Sequence, residues 1–203
     1  MSIKFVIFAS LLQTTRAWYL AYNAEEFSAN DSIPLYTNKI FSDKTQLNFA
    51  YTELPFVCKP KAVNHKLLNL GEVLRGDRIA ESDLELRVGQ NVTCKILCGT
   101  DLLPLTDLRF ARSLVTLDYK VEWIVDDLPA ANLRHFQVGD SSKILQSYDT
   151  GFSLGSLLEK GNTVLLNNHF DLTILYSDEG KKNKFYIVGF EIKTKRFEMI
   201  NPV

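Results

Sequence analysis

A chain of 203 residues with 46% hydrophobic and 23% charged residues has the length and apolar content for one domain with a real core, which excludes a disordered chain. Its formal net charge of −1 gives no electrostatic reason to expect nucleic acid or an anionic membrane surface as partner.

The elements, in chain order, begin with a targeting segment. Lys4 precedes the apolar stretch FVIFASLL (residues 5–12), and small residues at Thr15 and Ala17 suit a signal peptidase. The stretch is shorter than the roughly 20 residues that span a bilayer. Residues 1–17 therefore read as a cleaved secretory signal and residues 18–203 as the mature domain. Two triplets, NDS at Asn30 and NVT at Asn91, fit the N-glycosylation pattern and agree with a secretory route.

SIPLY (residues 32–36) is the first strand expected. In LGEVLRGDRI, Gly71 and Gly76 lack both the phosphate-loop lysine pattern and dinucleotide spacing, so they read as turn glycines, with Gly76-Asp77 a hairpin turn. LELRV (84–88) and VTCKIL (92–97) are expected as strands joined by a turn at Gly89, Gln90 and Asn91. A short helix is expected over 107–114, capped by Thr106 or Asp107, with Leu108, Ala111 and Val115 toward the core.

VTLDYKVEWIV (115–125) then alternates, with Val115, Leu117, Tyr119, Val121, Trp123 and Val125 on one face: a half-buried antiparallel strand. FDLTILY (170–176) and FYIVGFEI (185–192), joined by SDEGKKNK, read as a hairpin whose second strand is buried on both sides. The fold expected is one mostly-β, antiparallel, sandwich-like domain with at most one or two short helices.

Candidate chemistry is thin. Asp126 and Asp127 follow the apolar run beside Trp123, but neighbours on a strand point to opposite faces and cannot share a reacting bond. Leu128-Pro129 ends the strand, so these acids read as turn residues and not as a catalytic pair. No metal site is expected, because His65, His135 and His169 all lie away from Cys94 and Cys98 in sequence. Nothing in the spacing suggests cysteine–histidine catalysis. No cofactor, nucleic acid or small-molecule substrate is indicated, and the basic GKKNK cluster reads as a solvated hairpin tip. Trp123, Tyr119 and Phe170 have strand-face spacing and read as core.

The three cysteines are an odd number for an oxidising compartment. On a regular strand Cys94 and Cys98 would stand about 13 Å apart, too far to bridge. A bridge from Cys58 to one of the two is expected, with the other left over.

Together the strings YTELPF, NLGEVLRGDRI, VEWIVDDLPAA and LLNNHFDLTILY…FYIVGFEIK resemble the lumenal N-terminal domain of the nonaspanins, the transmembrane-nine superfamily, also called the endomembrane protein 70 family. The resemblance runs in order from about residue 33 to 193. It implies a cleaved signal and a β-rich lumenal domain followed by nine membrane helices, in Golgi and endosomal membranes. It also implies a role in sorting and localising membrane proteins, with links to adhesion and phagocytosis, and it supplies no catalytic residues. Two departures stand out. Val57 separates Phe56 from Cys58 where the family pattern runs Leu-Pro-Phe-Cys, and the sequence stops after FEIKTKRFEMINPV, which reads as a truncation that leaves a sheet edge open.

The function expected is non-enzymatic: a lumenal domain whose partners are membrane-protein cargo, other lumenal proteins or its own membrane domain. An independent secreted binding module is the alternative. A secreted hydrolase, with His169 or His135 gathered among carboxylates, is a third reading.

Overall fold

The computed structural model describes residues 25–99, 103–137, 144–158, 163–178 and 183–195. The expected signal segment, residues 1–17, and much of the SDEGKKNK tip lie outside the described residues. The fold is mostly β, in two main sheets. In the first, β15 (Lys184–Lys195) is central, with β14 (His169–Ser177) along one edge. The other edge carries β1 (Glu26–Ser28) and, through one parallel pairing at Glu191 and Ala131, β9 (Ala131–Gln137), which pairs in turn with β10 (Ile144–Thr150).

The second sheet is centred on β7 (Lys120–Val125). On one side it pairs with β3 (Leu35–Ser42), which carries β4 (Thr45–Ala50) and β5 (Ala80–Glu81). On the other side lie β8 (Leu128–Pro129) and β11 (Phe152–Ser153). Two small pairs complete the set: β2 (Ser32–Ile33) with β6 (Leu86–Arg87), and β12 (Gly155–Leu157) with β13 (Val164–Leu166). Helix α1 spans Leu70–Leu74 and α2 spans Leu105–Thr116.

One apolar core joins the sheets. Val121, Trp123 and Val125 of β7 point inward, as their alternation dictates, and Ile187, Phe190 and Ile192 of β15 are buried in the same cluster. Aromatic rings close the gap between layers. Trp123 meets Phe152 at 5.1 Å and Phe170, from the facing β14, at 5.3 Å between ring centroids.

Strand β15 is not buried on both sides: Val188 is 60% exposed. It is the extra residue of a β-bulge, because Leu175 pairs with Gly189 while Tyr176 pairs with Ile187. The bulge lets Ile187 and Phe190, three positions apart, face the same core.

The alternation over 115–125 does not mark one strand. Val115 belongs to α2, and the helix ends in a Schellman motif: Asp118 N–H donates to Val115 O and Tyr119 N–H to Leu114 O, both at 3.1 Å. Asp118 takes the left-handed position at φ 59° that glycine usually fills. Ala111, Leu114 and Val115 face the core, whereas Leu108 is 46% exposed. Pro104, not Thr106 or Asp107, occupies the N-cap and makes no side-chain cap bond. Relieving the left-handed strain with Asp118→Gly is expected to stabilise the domain by about 0.5–1 kcal/mol, read as a raised urea midpoint at unchanged slope.

VTCKIL is not a strand. Residues 91–99 carry no regular structure and are exposed throughout, so their β-propensity finds no partner edge. SIPLY is broken at Pro34, which cannot donate to a ladder, into β2 and the start of β3.

Candidate interaction site

The site is built outward from α1. Asn69 and Glu72 form a reciprocal capping box: the Asn69 side chain accepts from Glu72 N–H at 3.0 Å, and the Glu72 carboxylate accepts from Asn69 N–H at 2.7 Å. The helix closes at Gly76, φ 75°, in a second Schellman motif with Gly76 N–H to Val73 O and Asp77 N–H to Glu72 O, both 3.0 Å. Gly76-Asp77 is therefore a helix stop and not a hairpin turn, and Gly71 lies within the helix.

The stop delivers Asp77, 4% exposed, onto the second sheet. There β3 pairs with β7 irregularly: Thr37 opposes Trp123 and Ile40 opposes Val121, so Asn38 and Lys39 together face Glu122. This bulge aims both at Asp77. Asp77 Oδ1 accepts from Lys39 Nζ at 2.6 Å and Asn38 Nδ2 at 3.1 Å, and Oδ2 accepts from Arg75 Nη2 at 3.2 Å. Asn38 also donates to Glu122 Oε1 at 2.6 Å and accepts from Arg78 N–H at 2.6 Å. Burial alone would raise the Asp77 pKa; the hydrogen bonds from Lys39 and Asn38, with the nearby cations, outweigh it and hold the carboxyl below its ordinary value of 3.8.

Asp126 and Asp127 form the two-residue tip of the β7–β8 hairpin. Both have positive φ, 48° and 58°, as a type I′ turn requires, and Val125 pairs back with Leu128. Leu128-Pro129 is thus a return strand. Asp127 accepts from Lys66 Nζ at 2.8 Å, a bond that raises the Lys66 pKa; Lys66 Nζ also sits 5.4 Å from the Tyr36 ring centroid. Partial burial raises the Asp126 pKa, although Glu25 N–H donates to it at 3.4 Å.

The two most distinctive strings therefore converge. Glu72, Arg75 and Asp77 from one, with Glu122 and Asp127 from the other, line a recess of about 390 Å³ together with Lys39. Four acids against two bases make it acidic. Beside it in sequence, α1 leaves Leu70 75%, Val73 50% and Leu74 78% exposed, with Leu67 just before them at 96%. Sequence reasoning missed Asn38, Lys39 and Glu122. The Asn-x-x-Glu capping box followed by Gly76 was the available signal for the helix stop.

The other candidate residues do not join this recess. Cys58 is bridged to Cys98, with Cα atoms 5.6 Å apart, and Cys94 is free and exposed. Asn30 and Asn91 are both exposed, and Asn30 Oδ1 accepts from Gln90 Nε2 at 3.3 Å, so the two triplets lie at one corner. His169 lies on the β14–β15 hairpin, 3.4 Å from Asp171, whose other oxygen accepts from Lys195 at 2.5 Å. The Lys195 bond lowers the Asp171 pKa. His65 is exposed and bridges in the backbone to Ala80, while the His135 side chain lies outside the described residues. Among the described residues, no three His, Cys, Asp or Glu gather as metal ligands, and no helix is long and apolar enough to cross a membrane.

The structure thus defines a two-sheet, mostly-β domain with an acidic recess next in sequence to uncovered apolar side chains. The chain belongs to the endomembrane protein 70 family, whose profile matches residues 48–201. It is similar to transmembrane 9 superfamily member 4 of Homo sapiens, 32% identical over 90% of this chain and 30% of the relative. Member 3 of Saccharomyces cerevisiae is 37% identical over 82% of this chain and 23% of the relative. Member 10 of Arabidopsis thaliana is 32% identical over 93% of this chain and 30% of the relative. The chain thus spans about a third or less of the length of these relatives. They are named as membrane proteins and not as enzymes. No solved structure matches the chain.

Proposed function

We propose that this chain is a lumenal interaction domain, residues 18–203 after a cleaved signal at 1–17, that helps to sort or localise membrane proteins in the Golgi–endosomal system. It acts by binding and not by catalysis. Its partners are membrane-protein cargo, other lumenal proteins or the membrane domain that its relatives carry. Asn30 and Asn91 carry glycans on this reading, since both side chains are exposed on a chain that enters the secretory pathway.

The observation that carries the proposal is the uncovered apolar face of α1. Leu70 and Leu74, each at least three-quarters exposed, sit on a helix fixed at both ends by caps and next in sequence to the acidic recess. Contiguous apolar surface rimmed by charge is the mark of a protein-binding site. The test is rescue. In cells lacking the gene, surface biotinylation should show membrane proteins redistributed, and the wild-type gene should restore them. A Leu70→Glu, Leu74→Glu double variant should be made and secreted normally, because both positions are exposed, yet restore less than about a tenth of the effect, as loss of a central hot spot implies. An unchanged surface proteome on gene loss would overturn the sorting role; full rescue by the variant would overturn the site.

A further inference from the structure

We propose that Cys58, Cys94 and Cys98 form a thiol–disulfide exchange site, in which the free thiol of Cys94 displaces Cys98 from its bridge to Cys58. The proposal is independent of the trafficking reading.

The two ends of the bridge are held differently. Cys58 follows Phe56 and Val57, which pack on the main core, so its position is set by the fold. Cys98 lies in residues 91–99, exposed throughout and without regular structure. Among the described residues, no hydrogen bond or ion pair ties any of 91–99 to another residue. Among the described residues, the disulfide is therefore the cross-link that ties that segment to the domain.

Cys94 rides on the same segment, exposed and three intervening residues from Cys98. A Cys58–Cys94 bridge closes a loop only four residues shorter than the present separation of 40. Loop-closure statistics then favour one isomer over the other by only about 1.2-fold. With no hydrogen bond or ion pair among the described residues to select between them, the two bridges are near-equal alternatives.

The exchange is balanced without an outside oxidant. The Cys94 thiolate attacks Cys58 Sγ; the Cys58–Cys98 bond breaks as the Cys58–Cys94 bond forms. Cys98 leaves as a thiolate and takes up the proton that Cys94 released. One disulfide and one thiol stand on each side. The outcome is a four-residue shift of the tether, which draws Asn91 closer to the bridge and presents Cys98 in place of Cys94 as the free thiol.

Trypsin makes the test direct, because cleavage after Lys95 places Cys94 and Cys98 on separate peptides. The full chain, secreted and never reduced, is held at mildly alkaline pH. Free thiols are then alkylated, glycans removed, and peptides mapped by mass spectrometry. The expected result is label on both peptides, with Cys58 found linked to each. Label on Cys94 alone, with Cys58 linked only to Cys98, overturns the proposal, and so does a stable dimer bridged through Cys94. A Cys98→Ser chain gives a second reading: it should form Cys58–Cys94 and be secreted. Should that variant fail to fold, the wild-type labelling decides alone.

Discussion

Trp123→Ala is expected to cost about 3–5 kcal/mol of folding stability, enough to unfold many domains of this size. Trp123 is 4% exposed and stands where the two sheets face each other. Its ring meets Tyr51 edge-on at 5.7 Å, Phe152 at 5.1 Å and Phe170 at 5.3 Å. Truncation removes the partner of three rings at once and opens a void that the flanking strands, fixed by their ladders, can only partly close. Trp123→Phe should behave differently. The indole Nε1 is buried with no hydrogen-bond partner among the described residues. Phenylalanine keeps most of the packing and removes a donor that folding leaves unsatisfied, a term of about 1–3 kcal/mol in its favour. The expected loss is under about 1.5 kcal/mol. Urea unfolding of both variants checks the pair, and equal losses would show that the ring contacts do not carry the stability.

Asp77→Ala is expected to cost about 3 kcal/mol, at the lower end of the range for breaking a buried ion pair. The substitution strands Lys39, whose side chain is 12% exposed, with only the Arg75 carbonyl oxygen at 2.9 Å as a remaining polar partner in the cluster. It also releases the segment after α1 from the second sheet. The pH dependence has a definite sign. The Asp77 pKa is lowered in the fold, so its contribution is fully present above the ordinary value of 3.8 and is lost as pH falls through the lower folded value. Asp77→Asn should therefore destabilise by a constant amount at neutral and mildly acidic pH, and the gap to wild type should narrow only below about pH 4. A gap that closes already at pH 6 would show that another group governs the cluster. On the proposed route, mildly acidic compartments leave this clasp ionised.

Legibility followed the range of the interactions. The hairpin β14–β15 and the inward face of β7 were readable because alternation of apolar residues is local, and that local pattern reports burial directly. It misled at 115–119, where helical residues happened to continue the period; only Asp118 in the left-handed position separates helix from strand. VTCKIL shows the reverse failure, since β-branched residues form a strand only against an available edge. The acids at 126 and 127, read as turn residues, do form a turn, but one with positive φ made without glycine, which propensity does not anticipate. The recess itself was out of reach. Asn38 lies 39 positions from Asp77 and 84 from Glu122, and the bulge that aims it exists only once β3 and β7 have paired.

The bulge at Val188 bears on how chains of this kind change length. Elsewhere along β15, losing one residue would turn every later side chain to the opposite face and carry Phe190 or Ile192 into solvent. Val188 alone stands outside the count: with it removed, Ile187, Gly189 and Phe190 already alternate in phase, and Tyr176 and Leu175 meet consecutive partners. A gap can open or close at this one place without disturbing the core. Alignments of diverged members should put their length differences in this strand there, and a residue inserted for display would be best tolerated at the same position.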